Sequence, residues 1–375
     1  MNFDQKAFGE FATFCYGKMP VKKKITENGK YPIYSGYRIT GYYDEFNLDK
    51  NELVIVARGV GGTGNVKLSP SRCYLTNLSI AANVDEDIAL KKYLYYYFAI
   101  RNLRYLDSGS AQSQITISDL EKVIIPLPSI VHQRRITTVL SAIDDKIALN
   151  TAINENLEQQ AQALSDKWVS EHMDCITMFP LAEIAEINPE TYSPKDKWAF
   201  VNYLDTSSIT NGVMSEVQLI SPDIEKLPSR ARRIVKANDI VYSTVRPNQL
   251  HFGIISNPLE NMLVSTGFSV IRSKYAYISS PYIYHFLTSP DFIEKMQQLA
   301  EQSTSTFPSV KPSDIGTCLI PCADETEMTD ITDKINDMYA MVSANQQENK
   351  CLANLRDTLL PKLMNGEIDV SQVKI

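Results

Sequence analysis

Several short motifs in this sequence resemble catalytic or cofactor sites, but the residues around them argue against that chemistry. The run from Gly59 to Gly64 reads G-x-G-x-x-G, which in a dinucleotide-binding fold follows a strand and opens a helix. The residues after it, NVKLSPSRCYLTN, include Pro70 and have no helical period. The sequence therefore favours a hairpin over a dinucleotide site.

Residues for methyl transfer, ATP hydrolysis or DNA cleavage are also missing. None of the 18 prolines is adjacent to another, which excludes a Pro-Pro-aromatic methyltransferase tetrapeptide. The sequence has no G-x-x-x-x-G-K-[ST] phosphate loop, and Glu225-Lys226 follows Pro222-Asp223 too closely for a nuclease site. The four histidines are scattered and form no H-E-x-x-H: His132, His172, His251 and His285. The sequence predicts a protein that is not an enzyme by itself.

Composition is typical of a globular protein with two or more domains. Hydrophobic residues make up 44% and charged residues 22% of 375 positions. The six cysteines form no C-x-x-C pair, no apolar run reaches membrane length, and the N-terminus does not read as a signal peptide. We therefore expect reduced cysteines and a cytoplasmic protein without a membrane partner.

Net charge is −7, which alone argues against binding to nucleic acid. The charge is unevenly distributed, however, because acidic residues concentrate in two long stretches and basic residues cluster outside them. The distribution leaves room for a local basic surface.

The two long stretches repeat each other. Residues 113–168 and 308–363 align without a gap at an offset of 195, with 11 identities in 56 positions. A repeat this long indicates a duplicated domain rather than a solenoid unit. Each copy ends in a run without Gly or Pro, in which apolar residues and two asparagines recur in steps of four and three.

This spacing is typical of a heptad seam, and it predicts two helical rods of roughly 50 Å each. If the rods are antiparallel, opposed positions sum to 499, and Asn150 meets Asn349 while Asn154 meets Asn345. Buried amides would then fix the register. The alternative is that each helix packs only on its own domain. The predicted seam is Ile136, Leu140, Ile147, Asn150, Asn154, Leu157, Leu164, Ile335, Val342, Asn345, Asn349, Leu352, Leu359 and Leu363.

The remaining segments each mix strands and helices in a similar order. Strand candidates include Glu52–Ala57 and Ile240–Thr244, and Ile88–Leu106 reads as an amphipathic helix with Ile100 facing inward. Pro361 should end or kink the second long helix. We predict an α+β fold of two duplicated mixed α/β domains, related by a pseudo-two-fold, with a two-helix antiparallel coiled coil between them. The predicted boundaries are 1–128 for the first domain, 129–178 for the first long helix, 179–322 for the second domain and 323–375 for the second helix and tail.

Two motifs in this sequence resemble motifs of the specificity (S) subunit of type I restriction-modification systems. They are IPLPSIVHQRRI at Ile125–Ile136 and the more specific LLPKLMNGEI at Leu359–Ile368. The resemblance covers essentially the whole chain as globular segment, helix, globular segment, helix. The second copy departs from the first motif, because ADETEMTDI stands where the first has PLPSIVHQRRI.

The resemblance implies two target-recognition domains that each read one half of a bipartite site in double-stranded DNA. The helices would set the gap between the halves, and two methyltransferase (M) subunits would clasp the chain. Motor-nuclease restriction (R) subunits can join such complexes. The chain itself would hold no cofactor, since S-adenosylmethionine, ATP and magnesium would belong to its prokaryotic partner subunits.

Candidate DNA-binding residues follow from the chemistry of the duplex, where cations contact phosphates and Arg, Asn or Gln read base edges. For phosphate contact the candidates are Lys22, Lys23, Lys24, Arg232 and Arg233; for base edges they are Arg58, Gln112, Gln114, Arg246, Asn248 and Gln249; Arg38, Lys67 and Arg230 complete the basic clusters. The alternative for any one of them is a solvated surface charge.

Two other functions remain open. A coiled-coil scaffold whose ends bind peptides would also explain the acidic total and the rods, and it would bind partners without salt-sensitive retention of DNA. A specificity component of a related restriction enzyme that cuts near its site has the same sequence features.

Overall fold

The computed structural model describes residues 2–59, 62–107, 114–303 and 308–373. The chain divides into two compact units. The first unit is Met1–Ala148 with Lys350–Ile375, and the second is Leu149–Asn349. The divisions fall within two long helices, so each unit contains one part of both. The recognition-domain boundaries expected from the sequence stay a prediction.

The first unit contains two small sheets and short helices beside the long ones. Its elements are β1 (Asp4–Ala7), β2 (Ala12–Tyr16), β3 (Tyr31–Tyr34), β4 (Ile39–Tyr43), β5 (Leu53–Val56), β6 (Val66–Leu68), β7 (Tyr74–Leu75), β8 (Ser79–Val84), α1 (Lys91–Ala99), α2 (Ile117–Glu121), β9 (Ile124–Leu127) and the beginning of α3 (Ile130–Glu171). The larger sheet has the order β2-β8-β5-β6 and the smaller one β4-β3-β7, while β1 pairs with β9.

Apolar runs place the core of this unit under the larger sheet. All four residues of β5 are buried, as expected for a strand covered on both faces. Helix α1 contributes Tyr93 and Leu94 to the same cluster. The C-terminal motif packs there too, since Leu363 and Met364 are both buried in this core. The specific motif LLPKLMNGEI therefore serves packing in the first unit.

The second unit repeats this plan with additions. Its elements are the rest of α3, β10 (Thr177–Pro180), α4 (Leu181–Ile184), β11 (Ala185–Ile187), β12 (Val201–Leu204), β13 (Ile209–Thr210), β14 (Val213–Met214), β15 (Gln218–Ile220), β16 (Ala231–Ile234), β17 (Asp239–Ser243), β18 (Phe252–Ile255), β19 (Met262–Ser265), β20 (Phe268–Ser273), α5 (Ser280–Leu287), α6 (Pro290–Glu301), α7 (Pro312–Ile315), β21 (Leu319–Cys322) and the beginning of α8 (Glu325–Met364). Its sheets have the orders β11-β20-β17-β18 and β15-β12-β19-β16, and β10 pairs with β21.

The sheet that contains the buried central strand has the same strand order in both units, β2-β8-β5-β6 in the first and β11-β20-β17-β18 in the second. In both, the second strand of the repeat forms an edge of this sheet, and the buried strand β5 or β17 pairs antiparallel with both of its neighbours. The other sheet of each unit includes one parallel pair, β3 with β7 and β12 with β19. The duplication inferred from the sequence is therefore a duplication of topology, and the expected α+β fold is confirmed.

Within each unit the two long helices pack against each other. In the first unit, Ile136 and Leu140 of α3 belong to one buried cluster with Leu363 of α8. In the second unit, Trp168 of α3 shares a cluster with Ile335 of α8. The helices have 42 and 40 residues, which corresponds to about 60 Å each.

Paired amides set the register of the helices in the second unit. Asn150 Nδ2 donates to Asn349 Oδ1 at 2.9 Å, and Asn345 Nδ2 donates to Asn154 Oδ1 at 2.8 Å. Because residue numbers rise on one helix as they fall on the other, this pairing is antiparallel. These are the pairs that the sum of 499 predicts.

The predicted seam positions are all buried or half-buried. The buried ones are Ile136, Leu140, Asn150, Asn154, Ile335, Val342 and Leu363, and the half-buried ones are Ile147, Leu157, Leu164, Asn345, Asn349, Leu352 and Leu359.

Two expectations about helix ends are wrong. The predicted helix Ile88–Leu106 stops at Ala99, and Ile100 is 40% exposed, because the Asn102 side chain accepts from Arg104 N at 2.6 Å and caps a new turn. The first long helix ends at Glu171 rather than 178, since the residues from 177 pair with β21. Of the two effects predicted for Pro361, it does not end α8, which continues to Met364, and the kink stays a prediction.

Gln133 explains the first half of the family motif. Its fully buried side chain accepts from Leu90 N at 2.9 Å and donates to the carbonyls of Ile88 and Pro128 at 3.0 and 2.9 Å. It therefore ties the start of α3 to the segment before α1. In the second copy, Met328 stands at this position and is buried in an apolar cluster.

We expect Gln133→Ala to lower the free energy of unfolding by about 2 kcal/mol, because an amide N–H and two carbonyls lose their partner in a largely buried site. Urea denaturation followed by circular dichroism measures this. Gln159→Ala, at an exposed position of the same helix, is the matched control and should change stability by less than about 0.5 kcal/mol. Equal losses in the two variants would contradict the role of Gln133.

Candidate nucleic-acid interface

Strands β5 and β6, which flank the glycine-rich motif, pair as an antiparallel hairpin. Val56 N donates to Asn65 O and Gly64 N donates to Val56 O, both at 2.9 Å. Gly64 has φ +89° and a Cβ there would lie 2.3 Å from Arg104 N, so close backbone packing requires glycine at this point. The motif is thus accounted for by hairpin geometry, and the preference for a hairpin over a dinucleotide fold is confirmed.

Two candidate base-reading residues of the first unit come together beside this hairpin. Arg58, two residues after the end of β5, forms an isolated antiparallel bridge with Gln114, and Ile115 N donates to Ala57 O at 3.0 Å. Arg58 is half-buried and its Nε has no hydrogen-bond partner among the described residues. Gln112 lies outside the described residues.

The candidate base-reading residues of the second unit lie after β17, the counterpart of β5. Arg246 N donates to Pro308 O at 3.0 Å, and Val245 bridges to Ser309. Asn248 and Gln249 belong to the short helical turn that follows, and both side chains are exposed, as is that of Arg246. Arg246 has φ +48°, a left-handed conformation that is uncommon outside glycine.

The two loops occupy the same place in the duplicated plan. In each unit the segment leaving the buried central strand bridges to the residues just before α2 or α7, through Arg58 with Gln114 and Val245 with Ser309. Gln114 and Ser309 are also related by the offset of 195 found in the sequence. Each unit therefore presents cationic or amide side chains at an equivalent loop, which we call the central-strand loop: residues 57–59 in the first unit and 244–249 in the second.

The basic residues predicted to contact phosphate have differing environments. Lys22 and Lys23 are exposed and form no ion pair within the described residues, whereas Lys24 Nζ lies 2.9 Å from Glu45 Oε1. That hydrogen bond raises the pKa of Lys24. Lys67 is exposed on β6, and the Arg38 guanidinium lies 5.5 Å from the centre of the Tyr37 ring. Lys22 and Lys23 are thus better placed for an anion than Lys24.

The arginine cluster of the second unit lies on and before β16. Arg230 is exposed, while Arg232 and Arg233 are half-buried. Arg233 Nη1 donates to Thr191 Oγ1 at 3.2 Å, and burial lowers the pKa of its guanidinium. The sequence placed all three in one group, but the structure separates an exposed cation from partly covered ones.

Sequence reasoning missed an aromatic pair in the second unit. The rings of Tyr192 and Trp198 lie 4.7 Å apart, beside Arg232 and two lysines. The available signal was Trp198, one of only two tryptophans, in the cationic stretch KDKW.

The described residues show no arrangement for a resident metal or a membrane span. No three His, Cys, Asp or Glu side chains among them are grouped to hold a metal ion. No described helix combines the length and apolar character needed to cross a bilayer.

Comparison with known proteins finds a family match for the first part of the chain. Residues 2–159 match the family model for the type I restriction modification DNA specificity domain. With the duplicated topology and the paired helices, this match confirms the resemblance to type I specificity subunits.

Individual relatives agree with that class. The chain is 25% identical over 332 residues to the type I restriction enzyme MjaIX specificity subunit of Methanocaldococcus jannaschii, covering 80% of this chain and 74% of that protein. It is 24% identical over 159 residues to the HindI specificity subunit of Haemophilus influenzae, covering 42% of this chain but only 34% of the relative. The crystal structure of the type I S subunit from M. genitalium aligns with a TM-score of 0.65 at 19% identity, covering 97% of this chain and 96% of that one, and so shares the fold. The chain is therefore similar to type I restriction-modification specificity subunits in the sequence of its first part and in its fold.

Proposed function

We propose that this chain is the DNA sequence-specificity subunit of a type I restriction-modification complex and has no catalytic activity alone. It reads a bipartite site in double-stranded DNA, one half with each unit. One observation carries the proposal. The first unit contains most of the residues that match the specificity domain, and its strand topology recurs in the second unit. In both units the candidate base-reading residues lie at the central-strand loop. Two similar but non-identical readers suit a site with two different halves.

The partners in this proposal are two methyltransferase subunits, which restriction subunits can join. S-adenosylmethionine, ATP and magnesium are assigned to those partners. The supporting observation is the resemblance to specificity subunits. The proposed location is the prokaryotic cytoplasm.

The proposal is tested by expressing the chain with its methyltransferase in a host and mapping methylated adenines across the genome. We expect one split motif with two defined halves and a constant gap. Methylation at a continuous motif, or none with an active methyltransferase, would refute it.

Retention on DNA at increasing salt separates this function from a protein-binding scaffold. Retention that falls steeply with salt is expected of a protein that neutralises phosphates. Binding of a protein partner that is insensitive to salt, without retention of DNA, would support the scaffold instead.

We further propose that the paired helices set the gap between the two half-sites. The amide pairs Asn150–Asn349 and Asn154–Asn345 support this, because they resist a change of register. Lengthening both helices by one heptad at opposed points, after residues 152 and 346, keeps both amide pairs. The added seven residues extend each helix by about 10 Å.

This insertion is expected to lengthen the gap by no more than about three base pairs, at about 3.4 Å each, and to leave both half-sites unchanged. The mapped methylation motif measures it. Insertion into one helix alone shifts the seam out of register and should abolish methylation. A double insertion that remains active with the original gap would refute the spacer role.

A further inference from the structure

A cavity in the second unit combines aromatic and cationic side chains in a way that DNA reading by the central-strand loop does not use. It has a volume of about 640 Å³, which lies in the range of small-molecule sites of roughly 300–1,000 Å³. The lining residues that carry the argument are Tyr192, Trp198, Lys197, Lys226, Arg232 and Asp223.

The aromatic part of the cavity is built into the fold. Tyr192 is buried, and its backbone N–H donates to Arg232 O at 2.7 Å, which fixes it beside β16. Trp198 is half-buried, with its ring tilted at 52° to that of Tyr192. Both belong to the apolar cluster on the sheet with the order β15-β12-β19-β16. A half-buried indole held in this way keeps part of its surface available for a ligand.

The charged part of the cavity selects an anion. Lys197 and Lys226 are both exposed. Arg232 is half-buried and its Nε makes only a long hydrogen bond of 3.4 Å to Ser229 O. Asp223 is the one carboxylate among the lining residues, so the cations outnumber it. This balance favours an anionic ligand over a metal cation.

A ligand that suits this cavity combines an aromatic ring with a nearby anionic group, and a nucleotide has both. We propose that this cavity binds one unpaired nucleotide of DNA, with its base against Trp198 and its phosphate at Lys197 and Lys226. Within a duplex both faces of a base are covered by its neighbours, so only a base outside the stack can make this contact. The inference goes beyond the proposed function, because binding an unpaired nucleotide requires no reading of sequence.

The test uses the full chain and a fluorescein-labelled eight-residue oligothymidylate at low salt. Binding is followed by anisotropy, and the environment of Trp198 by tryptophan fluorescence. We expect saturable binding, quenching of the tryptophan signal, and a loss of affinity of about tenfold in Trp198→Leu, as base–aromatic stacking predicts. The quenching should be lost in the same variant, since the other tryptophan, Trp168, is buried elsewhere in the unit.

Two further variants guard against a folding defect in Trp198→Leu. Lys226→Ala changes an exposed side chain and should weaken binding several-fold, whereas Lys195→Ala, exposed nearby but outside the cavity, should leave binding unchanged. Wild-type affinity in Lys226→Ala, absence of quenching in the native chain, or equal competition by an eight-residue oligoglutamate would each overturn the proposal.

Retention of duplex DNA is measured in parallel. Loss of duplex retention with intact oligothymidylate binding would refute the proposed function and leave this inference standing. Intact duplex retention without oligothymidylate binding would refute this inference and leave the proposed function standing.

Discussion

Replacing Arg272 with methionine is expected to lower the free energy of unfolding by about 3–5 kcal/mol. Arg272 donates from Nε and Nη2 to the two carboxylate oxygens of Asp239, at 2.8 and 2.7 Å. It also contacts Glu190 Oε1 at 2.5 Å, which Lys236 approaches as well. The Asp239 side chain is 0% exposed, so the substitution leaves a buried carboxylate without its main cation.

Urea denaturation of the purified chain, followed by circular dichroism, measures this effect. Lys334→Ala is the matched control, since Lys334 and Asp330 form an exposed pair at 2.6 Å on one helix face, where the loss should stay below about 0.5 kcal/mol. The double variant Arg272→Met with Asp239→Leu removes both charges and should recover much of the stability. A loss in Arg272→Met no larger than in the control would show that the buried pair contributes little.

The first unit has a buried carboxylate, Glu52, at the position that corresponds to Asp239 of the second unit. Glu52 directly precedes the apolar residues of β5, as Asp239 precedes those of β17. Glu52, however, pairs with Lys91 of α1 at 2.7 Å, whereas Asp239 pairs with Arg272 of β20. A carboxylate before a buried strand is visible in both copies. Its partner is not, because the partner is chosen by long-range packing.

In the long helices, too, the features set by local sequence were predictable and those set by long-range packing were not. Their existence, their seam and their amide pairs follow from a period of three and four residues, which is a local property of the sequence. Gln133 was visible as part of a motif, but its contacts with Ile88 and Leu90 depend on a fold that brings distant segments together. The end of α3 was misplaced for a similar reason, since strand pairing with β21 overrides a sequence free of helix breakers.

For the candidate interface, residue types were predictable but proximity was not. The sequence identified Arg58 and Gln114 separately, and the bridge between them depends on the path of the chain after β5. In the second unit, Arg246, Asn248 and Gln249 were grouped because they are close in sequence. Their correspondence to Arg58 appears only when the two sheets are compared.

Replacing Arg246 with alanine should therefore relax recognition in one half of the DNA site only. An arginine that donates two hydrogen bonds to a guanine contributes about 1–3 kcal/mol of discrimination, which is roughly ten- to a hundredfold. Arg246 is exposed, so its loss should leave the melting transition in place. The half-site that loses discrimination is read from methylated adenines in a host that carries the variant with its methyltransferase.

Two further variants distinguish sequence reading from general binding to DNA. Arg58→Ala, at the equivalent loop of the first unit, should relax the other half-site. Lys23→Ala should instead weaken binding to all sequences and reduce the dependence on salt by about one phosphate contact, because a phosphate contact carries no sequence information. Since the two loops occupy the same place in a duplicated plan, complementary effects of Arg58 and Arg246 would locate sequence reading there. An unchanged motif in Arg246→Ala would remove Arg246 from the reading surface.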